Sequence, residues 1–471
     1  MGALQRAQEL IKAADPGKKL PLCDIKEIEI GPNALFKVGE IVEQFIPLNS
    51  AIGLIVDRTV IFRQEEEVKR VVSEILAKQY IVHIIELDDG HPELHASEDV
   101  IALSVKNAQG LAGVVSIGGG TITDIGKMTS VGLGGIPHIA IQTAASVDGY
   151  SDNVSVILIK GVKRTVPSRW PEALIADTTL IAQAPTLMNR AGYGEINSMF
   201  TAPADWRIAA LLGFEKKFHW GPIQLLQGVG EGIEDWSPGL RNSDIESTEK
   251  LVNALAIRGI VTGVADTTAC LSGIEHLISH MLDMHQGAKS LPIGQHGAQV
   301  GVGSVYAASI WELIFLKLSE GDISFSKLPD KNLLREKVYA TFAFLDSSGL
   351  LADECWKDYE KKFDFWVSNI STIERVINDW QSYVEELRTL IKKPEEIVYG
   401  LVSSGTPMTF GDLEPVINNE VARWAVTHCH LMRNRFVGID LLEFLGMWGE
   451  SEIDWVIERA SQAVRKEGAT K

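Results

Sequence analysis

Glu195, His276 and His296 are the side chains whose types and surroundings best suit a divalent cation. Arg190-Ala191-Gly192-Tyr193-Gly194-Glu195 sets a carboxylate just past a glycine turn, where a helix is expected to start. Gly273-Ile274-Glu275-His276-Leu277-Ile278-Ser279-His280 carries two histidines four apart, on one face of a predicted helix. Gly294-Gln295-His296-Gly297 puts a third imidazole between glycines, which leave room for a ligand. One carboxylate and two imidazoles, with a position left for water or substrate, suit a catalytic zinc, nickel or iron ion. Taken singly, each has a plainer explanation. A histidine pair can be a satisfied core pair, and Glu195 a first-turn acid complementing the helix dipole.

A second chemistry-bearing stretch lies upstream. The apolar run Gly113-Val114-Val115-Ser116-Ile117 reads as a buried parallel strand and is followed by Gly118, Gly119 and Gly120. An apolar-periodic segment begins at Thr121. Strand, glycine turn and helix start together form a cradle for a phosphate, because glycines admit the ligand and the helix offers unpaired N–H groups. A further strand, Pro137 to Ile141, leads into Thr143-Ala144-Ala145-Ser146, at the sheet edge where ligands bind in open α/β folds. Asp57 directly follows the strand Ala51–Val56 and is placed to accept hydrogen bonds from a nucleotide ribose; a helix cap accounts for it equally well.

The elements that must hold these residues follow from pattern. Strands near 25–30, 51–56, 82–87, 113–117 and 137–141 alternate with helical segments, which implies a doubly wound parallel sheet. A hairpin is expected at Val156–Ile159 and Val162–Val166, turning at Lys160-Gly161. Beyond Asp177 helical periodicity dominates and tryptophans concentrate. The expected division is therefore an α/β dinucleotide-binding domain over 1–177 and an all-helical metal- and substrate-binding domain over 178–471.

Bulk composition narrows the function classes. The net charge of −18 argues against a nucleic-acid partner, which calls for a basic face. Cys23, Cys270, Cys355 and Cys429 are widely spaced with no CxxC pair, which points to a reducing, cytoplasmic setting. No unbroken apolar run of membrane-spanning length stands out, so no membrane insertion is expected.

The ordered set GGGTxxD, TAASxDG, AGYGE, EHxxxH and HG resembles the iron-containing alcohol dehydrogenase and dehydroquinate synthase-like superfamily. Thr201-Ala202-Pro203-Ala204-Asp205-Trp206, Arg433-Asn434-Arg435-Phe436 and the late Asp440-Leu441-Leu442 are most similar to its bacterial-type glycerol-1-phosphate dehydrogenases. The resemblance covers roughly residues 20 to 450. It implies NAD or NADP, one divalent metal (zinc, nickel or iron), and a polyol phosphate or ketone phosphate as substrate. Trp- and Phe-rich surfaces of the helical domain would permit a homo-oligomer, a dimer or larger, without demanding one.

Carried over motif by motif, the resemblance gives Gly118, Gly119, Gly120, Thr121 and Asp124 to the pyrophosphate and Asp57 to the adenosine ribose. Thr143 and Ser146 line the nicotinamide side, with Asp152 close to the cofactor. Glu195, His276 and His296 bind the metal, and Asp148 and His280 are the catalytic groups, contacting substrate and handling a proton. For a substrate phosphate, Lys163, Arg164 and Arg169 are candidates, though a solvated hairpin explains them as well. Three departures stand out. Glu195 replaces the dehydrogenases' aspartate and matches the cyclases. Asp152 replaces a small hydroxyl residue and needs a cationic partner. Ala298 replaces an acid that would orient a ligand. Two alternatives follow: a dehydroquinate synthase-like cyclase using NAD transiently, or a catalytically silent nucleotide-binding homologue.

Overall fold

The computed structural model describes residues 3–468 except 92, 160–161, 320–322, 324 and 326–328, so the expected Lys160-Gly161 turn lies outside the described residues. The strands are β1 (Glu27–Gly31), β2 (Ala51–Val56), β3 (Phe62–Arg63), β4 (Glu66–Glu67), β5 (Ile81–Glu86), β6 (Gly113–Gly118), β7 (His138–Gln142), β8 (Val154–Ile159), β9 (Val162–Pro167) and β10 (Ala173–Asp177). Six of them form one sheet in the order β1-β10-β7-β6-β2-β5. Every pairing in it is parallel. The expected hairpin is the antiparallel pair β8 and β9.

Both faces of the sheet are buried, which is why its strands read as continuous apolar runs. Val115, Ile117, Ile139, Ile141 and Ile175 join one hydrophobic cluster, while Val114 and Ile55 join another with Ile122 and Ile125. Strand β10 is not among the strands expected from pattern, since Pro167 and Pro171 just before it punctuate the chain as a linker does. Yet Ala173–Asp177 is wholly buried and lies between β1 and β7.

The topology places the cradle. From β2 the chain steps outward to β5, then returns to the other side of β2 as β6 and continues to β7. That reversal makes β2 and β6 the switch point, where an open parallel sheet binds ligands at its carboxyl edge. Asp57 follows β2 and Gly119 follows β6, both on that edge.

The chain divides into two compact units, Met1–Gly192 with Trp220–Asp266, and Tyr193–His219 with Thr267–Lys471. The break is therefore not the expected one at 177/178. The Ile245–Ala265 helix packs on β1 and on the Ala3–Ala14, Trp220–Gly230 and Thr178–Ala182 helices, which returns residues 220–266 to the α/β unit. Among the described residues the second unit is helical throughout. Its longest helix, His296–Ser319, is apolar enough to cross a membrane by length and composition, but 83% of that apolar window is buried inside the protein. It is a core helix, apolar on nearly every side.

A buried charge group braces the first unit. The Lys127 ammonium, fully buried, donates to the Asp152 carboxylate and to the carbonyls of Gly149 and Val154. Burial above all, with Asp124 and Asp148 nearby, pushes Asp152 up to about 7 against the pull of Lys127. Removing one partner leaves the other buried and uncompensated. Lys127→Met is expected to cost about 3–5 kcal/mol, seen as a clear fall in thermal midpoint. An unchanged midpoint would mean that the pair adds nothing to the unit.

Candidate metal centre and dinucleotide cradle

Glu195, in the last turn of the Thr186–Ile196 helix and not at the helix start expected, meets His276 and His296 from the first turns of the Ile274–Ala288 and His296–Ser319 helices. Glycines allow the approach. A Cβ on Gly194 would stand 2.2 Å from the Gly297 carbonyl oxygen, one on Gly301 2.8 Å from the Gly194 Cα, and one on Gly303 2.8 Å from the Glu275 oxygen. Backbones this close bring short side chains from separate helices to one point. The donor atoms of the three residues lie within 4.8 Å of one another. His276 Nε2 is 3.2 Å from Glu195 Oε1, and His296 Nε2 is 3.7 Å from Glu195 Oε2. Donors 2.0–2.1 Å from a tetrahedral ion stand roughly 3.4 Å apart. The gaps fit such an ion.

Each imidazole is oriented from behind. Glu275 Oε1 lies 3.0 Å from His276 Nδ1, and its carboxylate also accepts from the Gly273 N–H (2.6 Å) and the Thr201 hydroxyl (2.8 Å). Ser279 Oγ is 3.0 Å from His296 Nδ1 and donates to Gln299 Oε1 at 2.6 Å, so its oxygen accepts from the imidazole. Both rings then carry their proton on Nδ1 and turn the Nε2 lone pair inward, as metal-ligating histidines do. The acid missing at Ala298 has a replacement in Ser279.

Burial alone would depress His276, but Glu195 and Glu275 raise it to about 9. An arriving cation therefore displaces a proton. His280, one turn on and partly exposed, stands 5.7 Å from His296 between ring centroids and outside the three-donor set.

Neither Glu275 nor Ser279 was picked out as functional from the sequence. Adjacent helical residues point about 100° apart, and Glu275 reaches His276 only because it folds back over the helix's first turn. Asp205, in the TAPADW stretch, accepts from the N–H groups of Ile274 and Gly438 and from Trp311 Nε1. Burial and the neighbouring Glu275 push it up to about 8. Arg435 donates to the Ser272 carbonyl and the Thr268 hydroxyl. Both motifs thus fix the segment that enters the His276 helix.

In the first unit, the Gly120–Gly132 helix starts with no side-chain cap, its N-cap being Gly119. A Cβ on Gly119 would meet only the Tyr150 hydroxyl, at 3.9 Å. Open N–H groups at the end of a long helix fit a pyrophosphate. The Thr143 N–H donates to the Gly118 oxygen at 3.2 Å, which joins the two ligand-edge loops; Thr143 and Ser146 are largely buried.

The remaining sequence candidates are placed as follows. Asp57 accepts from Thr59 N and Oγ1 and lies 3.3 Å from Lys69 Nζ. Asp124 takes part in the charge group around Lys127. Its carboxylate accepts from the Val156 N–H and lies 3.7 Å from Lys127, where it ties the helix to β8. Asp152 has the cation it needed in Lys127. Asp148 is 3.1 Å from the Arg258 guanidinium. Arg169 is engaged with Glu172 and the carbonyls of Gly135 and Ile136. Arg164 stands opposite Ile157 in the hairpin, and the Lys163 side chain lies outside the described residues.

Residues 29–185 match the family described as iron-containing alcohol dehydrogenase. The chain is 29% identical over 295 residues to the glycerol-1-phosphate dehydrogenase [NAD(P)+] of Pyrococcus horikoshii, spanning 63% of this chain and 81% of that protein. It is 32% identical to the same-named protein of Bacillus licheniformis, over 47% of this chain and 57% of that relative's length. With the same-named protein of Pyrococcus furiosus it shares 32% identity over 44% of this chain and 58% of the relative. Solved structures bear out the fold. A probable glycerol dehydrogenase from Sinorhizobium meliloti superposes with a TM-score of 0.58 at 14% identity, covering 93% of this chain and 98% of that one. The glycerol dehydrogenase of Schizosaccharomyces pombe gives 0.58 at 13% identity, covering 96% and 93%.

Residues behind a ligand typically hold 10–100-fold of metal affinity. Glu275→Gln and Ser279→Ala should each weaken zinc binding by about that factor, as read by competition with a chromogenic chelator. Full affinity in both variants would mean that these contacts do not orient the ligands. Gly303→Ala should lose stoichiometric metal altogether, because its methyl would collide with the Glu275 backbone.

Proposed function

We propose that this protein is a metal-dependent NAD(P)H oxidoreductase of the iron-containing alcohol dehydrogenase family, reducing dihydroxyacetone phosphate to sn-glycerol 1-phosphate, or a closely related polyol phosphate. The observation that carries the reading is the three-donor set Glu195, His276 and His296, with both imidazoles turned inward by Glu275 and Ser279. Such a site, keeping a position open, is built for catalysis more than for structure. The substrate comes from the names of the relatives. The four cysteines are free thiols, in keeping with a reducing, cytoplasmic setting. A homo-oligomer, dimer or larger, is part of the proposal.

When bound, the divalent ion supplies Lewis-acid polarisation of the ketone and the reduced nicotinamide supplies hydride. The chain's residues supply position. Gly118 to Thr121 hold the pyrophosphate on the helix N-terminus and Asp57 the adenosine ribose. Thr143 and Ser146 border the nicotinamide. Asp148 accepts a hydrogen bond from a substrate hydroxyl, and His280 gives the proton that the new alcohol oxygen takes up. Glu195, in place of aspartate, favours one competing reading, a sugar-phosphate cyclase using NAD transiently.

Zinc- or nickel-loaded protein offered dihydroxyacetone phosphate should oxidise NADH or NADPH, followed at the reduced-nicotinamide absorbance. Chelation or His276→Ala should abolish the rate. His280→Ala should keep metal but lower kcat by about 10²–10⁴-fold, the usual worth of a proton-transferring group. Turnover of unphosphorylated dihydroxyacetone alone would move the substrate to a polyol. Silence with both ketones, despite bound metal and cofactor, would favour the cyclase.

A further inference from the structure

Arg258 lies in the middle of the Ile245–Ala265 helix and has no exposed surface. A guanidinium that never loses its charge is costly to bury unless it faces an anion. Its Nη2 stands 3.1 Å from Asp148 Oδ2. The Asp148 side chain keeps 19% of its surface open, so the pair has a buried end and an accessible end. The same helix turn seats the rest of the loop. The Ser151 hydroxyl donates to the Ala256 carbonyl at 2.8 Å, and a Cβ on Gly259 would come within 2.2 Å of Ser151 Oγ and 2.5 Å of the Asp148 oxygen. From the opposite side Lys127, on the helix that begins at the glycine cradle, holds the carbonyls of Gly149 and Val154.

We propose that Arg258 is a positioning residue that holds the Asp148 carboxylate in place and aimed for substrate. The loop 148–154 is clamped between the cradle helix and the Arg258 helix. Lys127 fixes its backbone, and Arg258 alone of the two reaches the carboxylate expected to meet substrate. This rests on the reading that Asp148 contacts substrate. Arginine also suits this fully buried place better than lysine, because its planar, weakly hydrated guanidinium stays charged where an ammonium is a strongly hydrated point charge.

The test is a double-mutant cycle on metal-loaded protein. Arg258→Met, and the milder Arg258→Lys, are made in wild-type and Asp148→Asn backgrounds. Directly contacting residues are coupled, so Arg258→Met alone should lower kcat/KM for the ketone phosphate by about 10–100-fold, and Arg258→Lys should recover part of it. In the Asp148→Asn background the same substitution should cost less than about threefold. Affinity for NADH, read by fluorescence, and metal content should be unchanged throughout. Equal losses in both backgrounds, or a loss that tracks NADH affinity, would assign Arg258 to folding alone and overturn the proposal. If only the unphosphorylated ketone turns over, the substrate named above fails, while the cycle is read on that ketone with the same criteria.

Discussion

Close backbone contact at glycine is the constraint on which the candidate metal centre depends. Glutamate and histidine are short, and a cation needs their donor atoms only a few ångströms apart. Helices at ordinary packing distances of 8–10 Å hold such side chains apart unless small residues let the backbones draw in. Gly194 against Gly297, and Gly303 against Glu275, provide that approach. The glycines flanking the ligands thus determine helix spacing, and helix spacing determines whether a site exists.

Around that contact the second unit spends buried polar groups on orientation. Asp205 anchors the start of the His276 helix through the Ile274 N–H, Glu275 turns back to the imidazole beside it, and Thr201 steadies Glu275. Ser279 and Gln299 do the same for His296. The first unit is organised around a different problem, which is to keep a loop of acidic residues next to the uncapped Gly120–Gly132 helix. Asp124 and Asp152 gather about Lys127 and Asp148 meets Arg258, so the negative charge is balanced inside the fold.

Much of this was legible in the residues themselves. A strand ending in three glycines, an HxxxH spacing and a histidine between glycines are local patterns whose chemistry depends on near neighbours, and they pointed to the cradle and to Glu195, His276 and His296. The parallel sheet was legible for the same reason, because strands buried on both faces carry unbroken apolar runs. Proline punctuation hid β10, whose strand character comes from its neighbours β1 and β7.

Tertiary structure decided what depends on partners distant in the chain. Residues 220–266 belong with the α/β unit because the Ile245–Ala265 helix packs on β1 and the N-terminal helix, and no local signal marks a helix's destination. Asp124 braces the helix against β8, since its carboxylate faces Val156 and Lys127. Asp152 found its cation 25 residues away, and Asp148 found Arg258. Sequence spacing specifies which groups share a helix face; which buried charge meets which is settled only when burial makes an unpaired one too costly to leave.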